Sequence, residues 1–269
     1  MRRLPPLAAV LFSCSSYGQN ADAPAPAPVD AGILESGVDA GSVDATDAPN
    51  ELPYRAAVLA DAPIAYWPFD DDPGANTARE IVGGKNGDVV GTVTFGVPGV
   101  SGTAIERPMQ TDGRLDVGDD FDFAGKVPYT IEFWVKPQIV GRFGDVLDKR
   151  DTPNGKGWIA YVHDGPGVQL EQPVPGGGRT AYVDVPSLTD GKFHHVVFTF
   201  DPTQPTSIRL RLFVDSVRTD GFSDDLDAAD TTIVLTMAST YVGVLDEVAL
   251  YDHALSADRV SAHYKLGSH

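Results

Sequence analysis

The sequence of 269 residues has one cysteine and few basic side chains. Because Cys14 is alone, no disulfide can form within the chain, and thiol-pair chemistry has no candidate. Lysine and arginine together number 20 against 38 aspartates and glutamates, which gives a formal net charge of −18. A surface of this sign repels phosphate backbones, so the composition argues against nucleic acid as a partner.

Two further absences narrow the class of protein. No apolar run approaches the roughly 18 residues of a membrane-spanning helix. The sequence also contains no G-x-S-x-G motif, which leaves a nucleophile elbow without a candidate.

Residues 1–20 are predicted to be an export leader. Arg2 and Arg3 precede a short apolar run, the pattern of a signal for secretion. Leu11, Phe12 and Ser13 before Cys14 resemble a bacterial lipobox, in which the cysteine is lipidated and becomes the mature N-terminus. The alternatives are an ordinary signal peptide or a misplaced start. The motif predicts an exported protein that a lipid on Cys14 anchors to the cell envelope or outer surface, and that meets the membrane only through this anchor.

Residues 21–50 are predicted to be a disordered linker. The segment is rich in alanine, proline and aspartate, and it has no aromatic and no basic side chain. Such a composition buries too little apolar surface to order itself. We expect a stalk between the anchor and the domain that follows.

Residues 51–269 read as one all-β domain. In Phe193–Asp215, two runs alternate apolar side chains with a period of two, which is typical of strands with one face in a core. Tyr129–Pro137 alternates in the same way, with Trp134 on its polar face. Further strand-like runs follow at short, even spacing, and Ser256 begins a short C-terminal helix. The pattern predicts a two-sheet antiparallel sandwich or jelly roll.

Six phrases in order resemble the LamG-like jelly-roll domains of the concanavalin A-like lectin/glucanase superfamily. The resemblance extends from Tyr54 to about Leu266, with Phe193 where the family usually has tryptophan and Ser216 where it usually has glycine. The phrases are AYWPFD (Ala65–Asp70), GGKNGDVVG (Gly83–Gly91), YTIEFWVKP (Tyr129–Pro137), GKFHHVVFTFD (Gly191–Asp201), LFVDS (Leu212–Ser216) and LDEVALYDHALSADRV (Leu245–Val260).

The resemblance implies a non-catalytic extracellular module that binds carbohydrate or protein, often with calcium. Glucanases of the same superfamily use a closely spaced Glu-x-Asp-x-(x)-Glu on one strand. No glutamate of residues 51–269 lies in that spacing, so we predict no enzyme activity.

One structural calcium ion is the cofactor we expect. In the family's topology the first and last strands pair antiparallel, which would bring Asp70 near Asp246, and Asp72 and Asp112 could join from neighbouring turns. Carboxylates in loops supply the oxygens that calcium prefers. The alternative is an acidic rim without a bound ion. His194 and His195 cannot bind one ion together, because adjacent strand residues point to opposite faces.

Aromatic side chains are the candidates for sugar binding, because their rings stack on pyranose faces. Trp134, Trp158, Tyr161 and Tyr182 are the predicted ligand-binding residues, and the alternative for each is packing in the core. Together these features predict a carbohydrate-binding or adhesion module for an extracellular glycan or polysaccharide. The alternatives are a protein–protein interaction or structural module with a surface protein as partner, and a degenerate glycosidase with paired carboxylates in the cleft.

Overall fold

A computed structural model of the chain describes residues 52–138, 143–152, 155–163, 167–174, 177–184, 188–220 and 230–268. All of them belong to one unit, Ala48–His269. The predicted leader and linker lie outside the described residues. The two described α-helices are α1 (Pro53–Ala60) and α2 (Ala257–Gly267). The strands are β1 (Ala65–Trp67), β2 (Thr77–Ala78), β3 (Gly87–Gly91), β4 (Thr94–Pro98), β5 (Thr103–Arg107), β6 (Gly113–Gly118), β7 (Tyr129–Pro137), β8 (Phe143–Asp148), β9 (Ile159–His163), β10 (Gly167–Val174), β11 (Gly177–Asp184), β12 (His194–Phe200), β13 (Leu210–Val214), β14 (Val217–Asp220), β15 (Leu235–Met237) and β16 (Gly243–Tyr251).

The strands form two antiparallel sheets. The first sheet has the order β14-β13-β12-β7-β16-β5-β4, with β1 also paired to β16. The second sheet has the order β11-β10-β9-β8-β15-β6-β3-β2. The fold is the two-sheet antiparallel jelly-roll sandwich that the sequence predicts.

The main core lies between the sheets. Val196 and Phe198 of β12 lie opposite Phe133 and Ile131 of β7, and all four are fully buried. The period of two in these strands therefore marks the face that packs in the core. Trp67 of β1 lies in the same core.

Some boundaries differ from the sequence pattern. The pattern indicates one strand over 89–95. In the structure, β3 ends at Gly91 in the second sheet, and β4 begins at Thr94 in the first sheet. Gly91 has a φ of +75°, and a Cβ there would collide with the carbonyl of Asp112. Strand β13 begins at Leu210 because Thr206–Ile208 form a 3-10 turn after Pro205.

The two helices cover the outer face of the first sheet. Helix α2 begins where the sequence predicts, and the side chain of Ser256 accepts a hydrogen bond from the backbone N–H of Arg259. Helix α1 is not among the predicted elements, although Pro53 occupies a position that favours a helix start. A second apolar cluster joins both helices to the sheet, with Tyr54, Val58, Tyr66, Trp134, Val197, Phe213, Ala249, Tyr251, Leu255 and Val260 as its buried members.

Candidate functional site

Trp134 is enclosed beneath the helices. It is only 1% exposed, and its Nε1 donates a hydrogen bond to the hydroxyl of Tyr54 at 2.9 Å. Its ring stacks on His195 with centroids 4.6 Å apart and lies parallel to Tyr264 at 6.0 Å. The prediction that the Trp134 ring stacks on a sugar is therefore corrected. The strand face that carries it meets helices instead of solvent.

A buried carboxylate lies beside Trp134. Glu132 accepts hydrogen bonds from the hydroxyls of Tyr54 (3.0 Å) and Tyr251 (2.8 Å). Its Oε1 also lies 2.8 Å from His195 Nε2 and 2.9 Å from His263 Nδ1. Burial alone raises the pKa of Glu132, but the charges and hydrogen bonds of the two histidines bring it well below its usual range. This network joins the first sheet to α1 and α2.

Trp158 lies in the core between the sheets. It is 1% exposed, its Nε1 donates a hydrogen bond to the carbonyl of Phe121 at 2.8 Å, and its ring lies 5.6 Å from that of Phe123. The prediction of Trp158 as a ligand-binding residue is corrected in the same way, because the indole is buried in the core and cannot contact a ligand.

The two predicted tyrosines occupy one row of the second sheet. Strand register places Asp145 opposite Tyr161, Tyr161 opposite Gln169, and Gln169 opposite Tyr182. Residues directly opposite each other share a face of the sheet. The neighbours Ala160, Val162, Val168 and Leu170 lie in the core, so the row lies on the outer face.

The tyrosine positions are not equally defined. The side chain of Tyr182 lies outside the described part of the chain. Tyr161 is 4% exposed, so most of its ring is covered, which argues against open stacking. Its hydroxyl donates a hydrogen bond to Glu171 at 3.3 Å.

Charged side chains surround Tyr161 on this face. Arg150 contacts Asp148 with two nitrogens, at 3.1 and 3.0 Å, and lies 3.8 Å from Asp145. We name Asp145, Asp148, Arg150, Tyr161, Gln169 and Glu171 the outer polar row. Of these residues only Tyr161 is predicted from the sequence, although the alternation in Phe143–Lys149 and Val168–Glu171 indicates which side chains share the outer face.

The outer polar row is only partly open to water. The side chains of Asp145, Asp148 and Arg150 are 14%, 20% and 23% exposed. Burial and the charge of Asp148 raise the pKa of Asp145. Burial and the charge of Glu171 raise the pKa of Tyr161, which stays a neutral donor. Half-buried donors and acceptors at fixed positions are what hydroxyl-rich ligands require.

The predicted calcium ligands are only partly brought together. Asp70 and Asp246 are close enough for the charge of Asp70 to raise the pKa of Asp246, although burial is the larger cause. Their oxygens already have protein donors. Asp70 accepts from the backbone N–H of Thr103 and pairs with Arg55, and Asp246 accepts from the backbone N–H groups of Val100 and Glu247.

The other two predicted ligands do not join them. Asp70 accepts a hydrogen bond from Thr103, the first residue of β5, whereas Asp112 lies in the turn after Arg107, the last residue of that strand. Over this length a strand extends about 13 Å. Asp72 contributes its carbonyl to a turn that ends at Ala75. Within the described ranges, no group of three or more His, Cys, Asp or Glu side chains is arranged to hold a metal ion. The calcium site therefore stays a prediction, and Asp70 and Asp246 are the two of its four aspartates that are close to each other.

The two adjacent histidines point to opposite faces, as predicted. His195 is fully buried against Glu132, whereas His194 is half-buried and pairs with Asp215 at 2.8 Å. Cys14, the predicted lipidation site, lies outside the described residues. Among the residues that are described, no helix combines the length and apolar character needed to cross a membrane.

Comparison with known proteins agrees with this architecture. The model of the concanavalin A-like lectin/glucanases superfamily matches residues 110–261, more than half of the chain. The sandwich is thus of the lectin-like class. The chain belongs to the concanavalin A-like lectin/glucanase superfamily. No curated protein matches the chain.

Solved structures share the fold at low sequence identity. Domain 4 of AbnA, a GH43 extracellular arabinanase from Geobacillus stearothermophilus in complex with arabinotriose, is 17% identical with a TM-score of 0.57, over 75% of this chain and 98% of that one. The binding domain of botulinum neurotoxin serotype D is 12% identical with a TM-score of 0.58, over 76% and 52%. The binding domain of Paraclostridial Mosquitocidal Protein 1 is 15% identical with a TM-score of 0.56, over 73% and 52%. The chain thus covers about half the length of the toxin binding domains.

Proposed function

We propose that the chain is a non-catalytic carbohydrate-binding module that holds an extracellular glycan on the outer face of the second sheet. The observation that carries this proposal is the outer polar row. Both described helices lie on the first sheet. Arg150 is held by Asp148, and Asp145, Asp148 and Arg150 are partly exposed to solvent.

The comparisons support a binding role in general. The family is lectin-like, and the similar structures include a domain in complex with arabinotriose and two toxin binding domains. Binding by the outer polar row would rest on hydrogen bonds to sugar hydroxyls more than on ring stacking, because Tyr161 is largely covered.

The test is binding of residues 51–269 to an array of neutral and charged polysaccharides. A variant with Gln169→Ala and Glu171→Gln removes an amide and a negative charge from the row and leaves the core unchanged. We expect it to bind the preferred polysaccharide at least about tenfold more weakly. The control is Glu106→Gln on the first sheet, which should bind as the wild type does.

Absence of binding to every polysaccharide would overturn the proposal. That result favours the protein–protein or structural module of the envelope, and capture of a surface protein by the immobilised domain is then the measurement to make. Equal binding by the variant and the wild type would show that the row is not the site.

One observation favours hydrolysis as a second candidate. Asp145 and Glu171 lie on the same face, and the pKa of Asp145 is raised by burial, by Asp148 and by Glu171. In glycosidases a carboxylic acid with a raised pKa acts together with a second carboxylate that flanks the scissile bond. Release of reducing ends from the bound polysaccharide, abolished by Asp145→Asn, would establish this activity.

We also propose that calcium stabilises the domain through Asp70 and Asp246. Binding there requires the carboxylates to exchange their present N–H partners for the ion. Thermal unfolding with calcium and with EDTA tests the idea, and Asp246→Ala should remove any difference. An identical melting temperature in both buffers would leave the acidic rim as the correct description.

A further inference from the structure

A cavity, called the second cavity below to separate it from the outer polar row, lies on the opposite side of the sandwich from that row. It has a volume of about 600 Å³ and lies where the C-terminal end of α2 meets β7 and the turn before β12. Ligand pockets in proteins have about 300 to 1,000 Å³, so the cavity has the size of a binding site. Its walls include Phe193, Tyr264 and an edge of Trp134, and Lys136 and Lys192 lie beside them.

The charge of this cavity differs from that of the whole chain. The chain carries a net charge of −18, and many of its basic side chains pair with carboxylates, among them Arg55, Lys85, Lys149, Arg150 and Arg259. Within the described residues, neither Lys136 nor Lys192 has a carboxylate oxygen within 4.0 Å. Asp190 accepts a hydrogen bond from the backbone N–H of Lys192 at 2.9 Å, and the same carboxylate oxygen lies 3.1 Å from His194 Nε2.

The lysines are positioned beside aromatic surface. The Nζ of Lys136 lies 4.9 Å from the centroid of the Phe193 ring, a cation–π contact. This contact fixes the ammonium group at the cavity wall but leaves its N–H donors without a carboxylate. Phe193 and Tyr264 are both partly exposed, whereas Trp134 is enclosed. The cavity therefore combines two cations with accessible rings.

From this combination we propose that the cavity binds a sugar that carries a carboxylate, such as a uronic or sialic acid. The ammonium groups of Lys136 and Lys192 bind the carboxylate, and the rings of Phe193 and Tyr264 contact the apolar face of the sugar. A neutral sugar would leave both cations without an anionic partner, and a bare inorganic anion would leave the rings uncovered. This site is separate from the outer polar row and does not depend on it.

The experiment is an NMR titration of residues 51–269 with four acidic sugars: glucuronate, galacturonate, mannuronate and N-acetylneuraminate. We expect at least one of them to shift the backbone amide signals of Lys192 and Gly267, which line the cavity. Its methyl ester, which has the same shape without the charge, should bind at least about tenfold more weakly, as should the acid in high salt.

Variants separate the two parts of the site. Lys136→Met with Lys192→Met keeps the aliphatic stems and should weaken binding of the acidic sugar about tenfold or more, the loss expected for charge-assisted hydrogen bonds. Lys85→Met with Lys156→Met changes the net charge by the same amount away from the cavity and should bind normally. Phe193→Leu should weaken binding of the sugar but not of inorganic phosphate.

Several outcomes would overturn the proposal. They are the absence of shifts with all four acidic sugars, equal binding of acid and ester, and unchanged binding by the double lysine variant. Phosphate binding without sugar binding would also overturn it. A sugar that shifts only Gln169 and Glu171 would support the outer polar row and contradict this second site, so the two proposals fail separately.

Discussion

Glu132 is the residue that most strongly links the parts of this domain. A carboxylate with no exposure to solvent is costly unless it is paired and hydrogen-bonded. Here two tyrosine hydroxyls and two histidines supply those partners. They come from α1, α2 and two strands of the first sheet, so one side chain joins elements that are distant in sequence.

Replacing Glu132 with alanine should strongly destabilise the domain. The change leaves buried hydroxyls and imidazoles without an acceptor, and we expect the free energy of unfolding to fall by about 3–5 kcal/mol in urea denaturation. Glu106→Ala, on a half-exposed position of the same sheet, should change it by about 0.5 kcal/mol or less. Equal effects of the two substitutions would show that the network contributes little.

His263 should make stability depend on pH. Burial lowers its pKa, but the charge of Glu132 and the hydrogen bond to it raise it more, so the folded-state pKa lies above the ordinary value. The stabilisation is complete below the unfolded pKa of about 6.5 and is lost as the pH rises through the folded value. We therefore expect the free energy of unfolding to decrease at alkaline pH.

The variant His263→Gln tests the source of this pH dependence by urea denaturation between pH 5 and pH 9. This variant should lose only part of the decrease in stability. The hydrogen bond to Asp215 also raises the pKa of His194, so His194 contributes a decrease in the same direction. His253→Gln, at an exposed histidine, should retain the whole decrease. A wild-type protein whose stability rises above neutral pH would contradict the assignment.

At the scale of elements, the docking of α2 depends on a glycine. Gly267 ends the helix, and a Cβ there would lie 2.8 Å from Cγ1 of Val100 and would overlap the indole of Trp134. Only a residue without a side chain lets the helix end approach the sheet this closely.

We expect Gly267→Ala to lower the free energy of unfolding by about 1–3 kcal/mol, the usual cost of overpacking. Because Gly267 and Trp134 also line the second cavity, the fluorescence of the buried indole should change as well. Lys265→Ala, in the same turn and exposed, should leave both properties nearly unchanged. Wild-type stability of Gly267→Ala would mean that the helix end moves away without cost.

At the scale of the whole molecule, the two sheets present different outer faces. The first is covered by both helices, and the second carries the outer polar row. One sandwich can therefore offer a glycan-binding face on one side and a separate acidic-sugar site where a helix meets the other. The fold alone does not dictate either function.

The attachment of the molecule is tested through Cys14. If the leader is a lipoprotein signal, wild-type protein should partition into the membrane fraction of an expressing bacterium, whereas Cys14→Ser should be released. Labelling with a palmitate analogue should mark only the wild type. Equal release of both forms would contradict the lipid anchor and favour an ordinary signal peptide.

The sequence by itself determined the all-β class, the core face of the central strands and the resemblance to the family. Alternation in Tyr129–Pro137 and His194–Phe200 identified the core face, because the period of two is a local property of the extended backbone. The N-cap at Ser256 identified α2 for the same local reason. The pairing of the first and last strands, which brings Asp70 near Asp246, followed from the resemblance to the family.

Only the tertiary structure decided whether the outer face of each sheet contacts helices or solvent. Trp134 follows Glu132 on the polar side of its strand, and the sequence pattern reads the same whether that side faces water or a helix. Its partner Tyr54 is 80 positions away, and the partner of Glu132, His263, is 131 positions away. Likewise, Asp145, Tyr161 and Gln169 form a row only through strand register. Such contacts depend on how distant segments pack, and local periodicity carries no information about them.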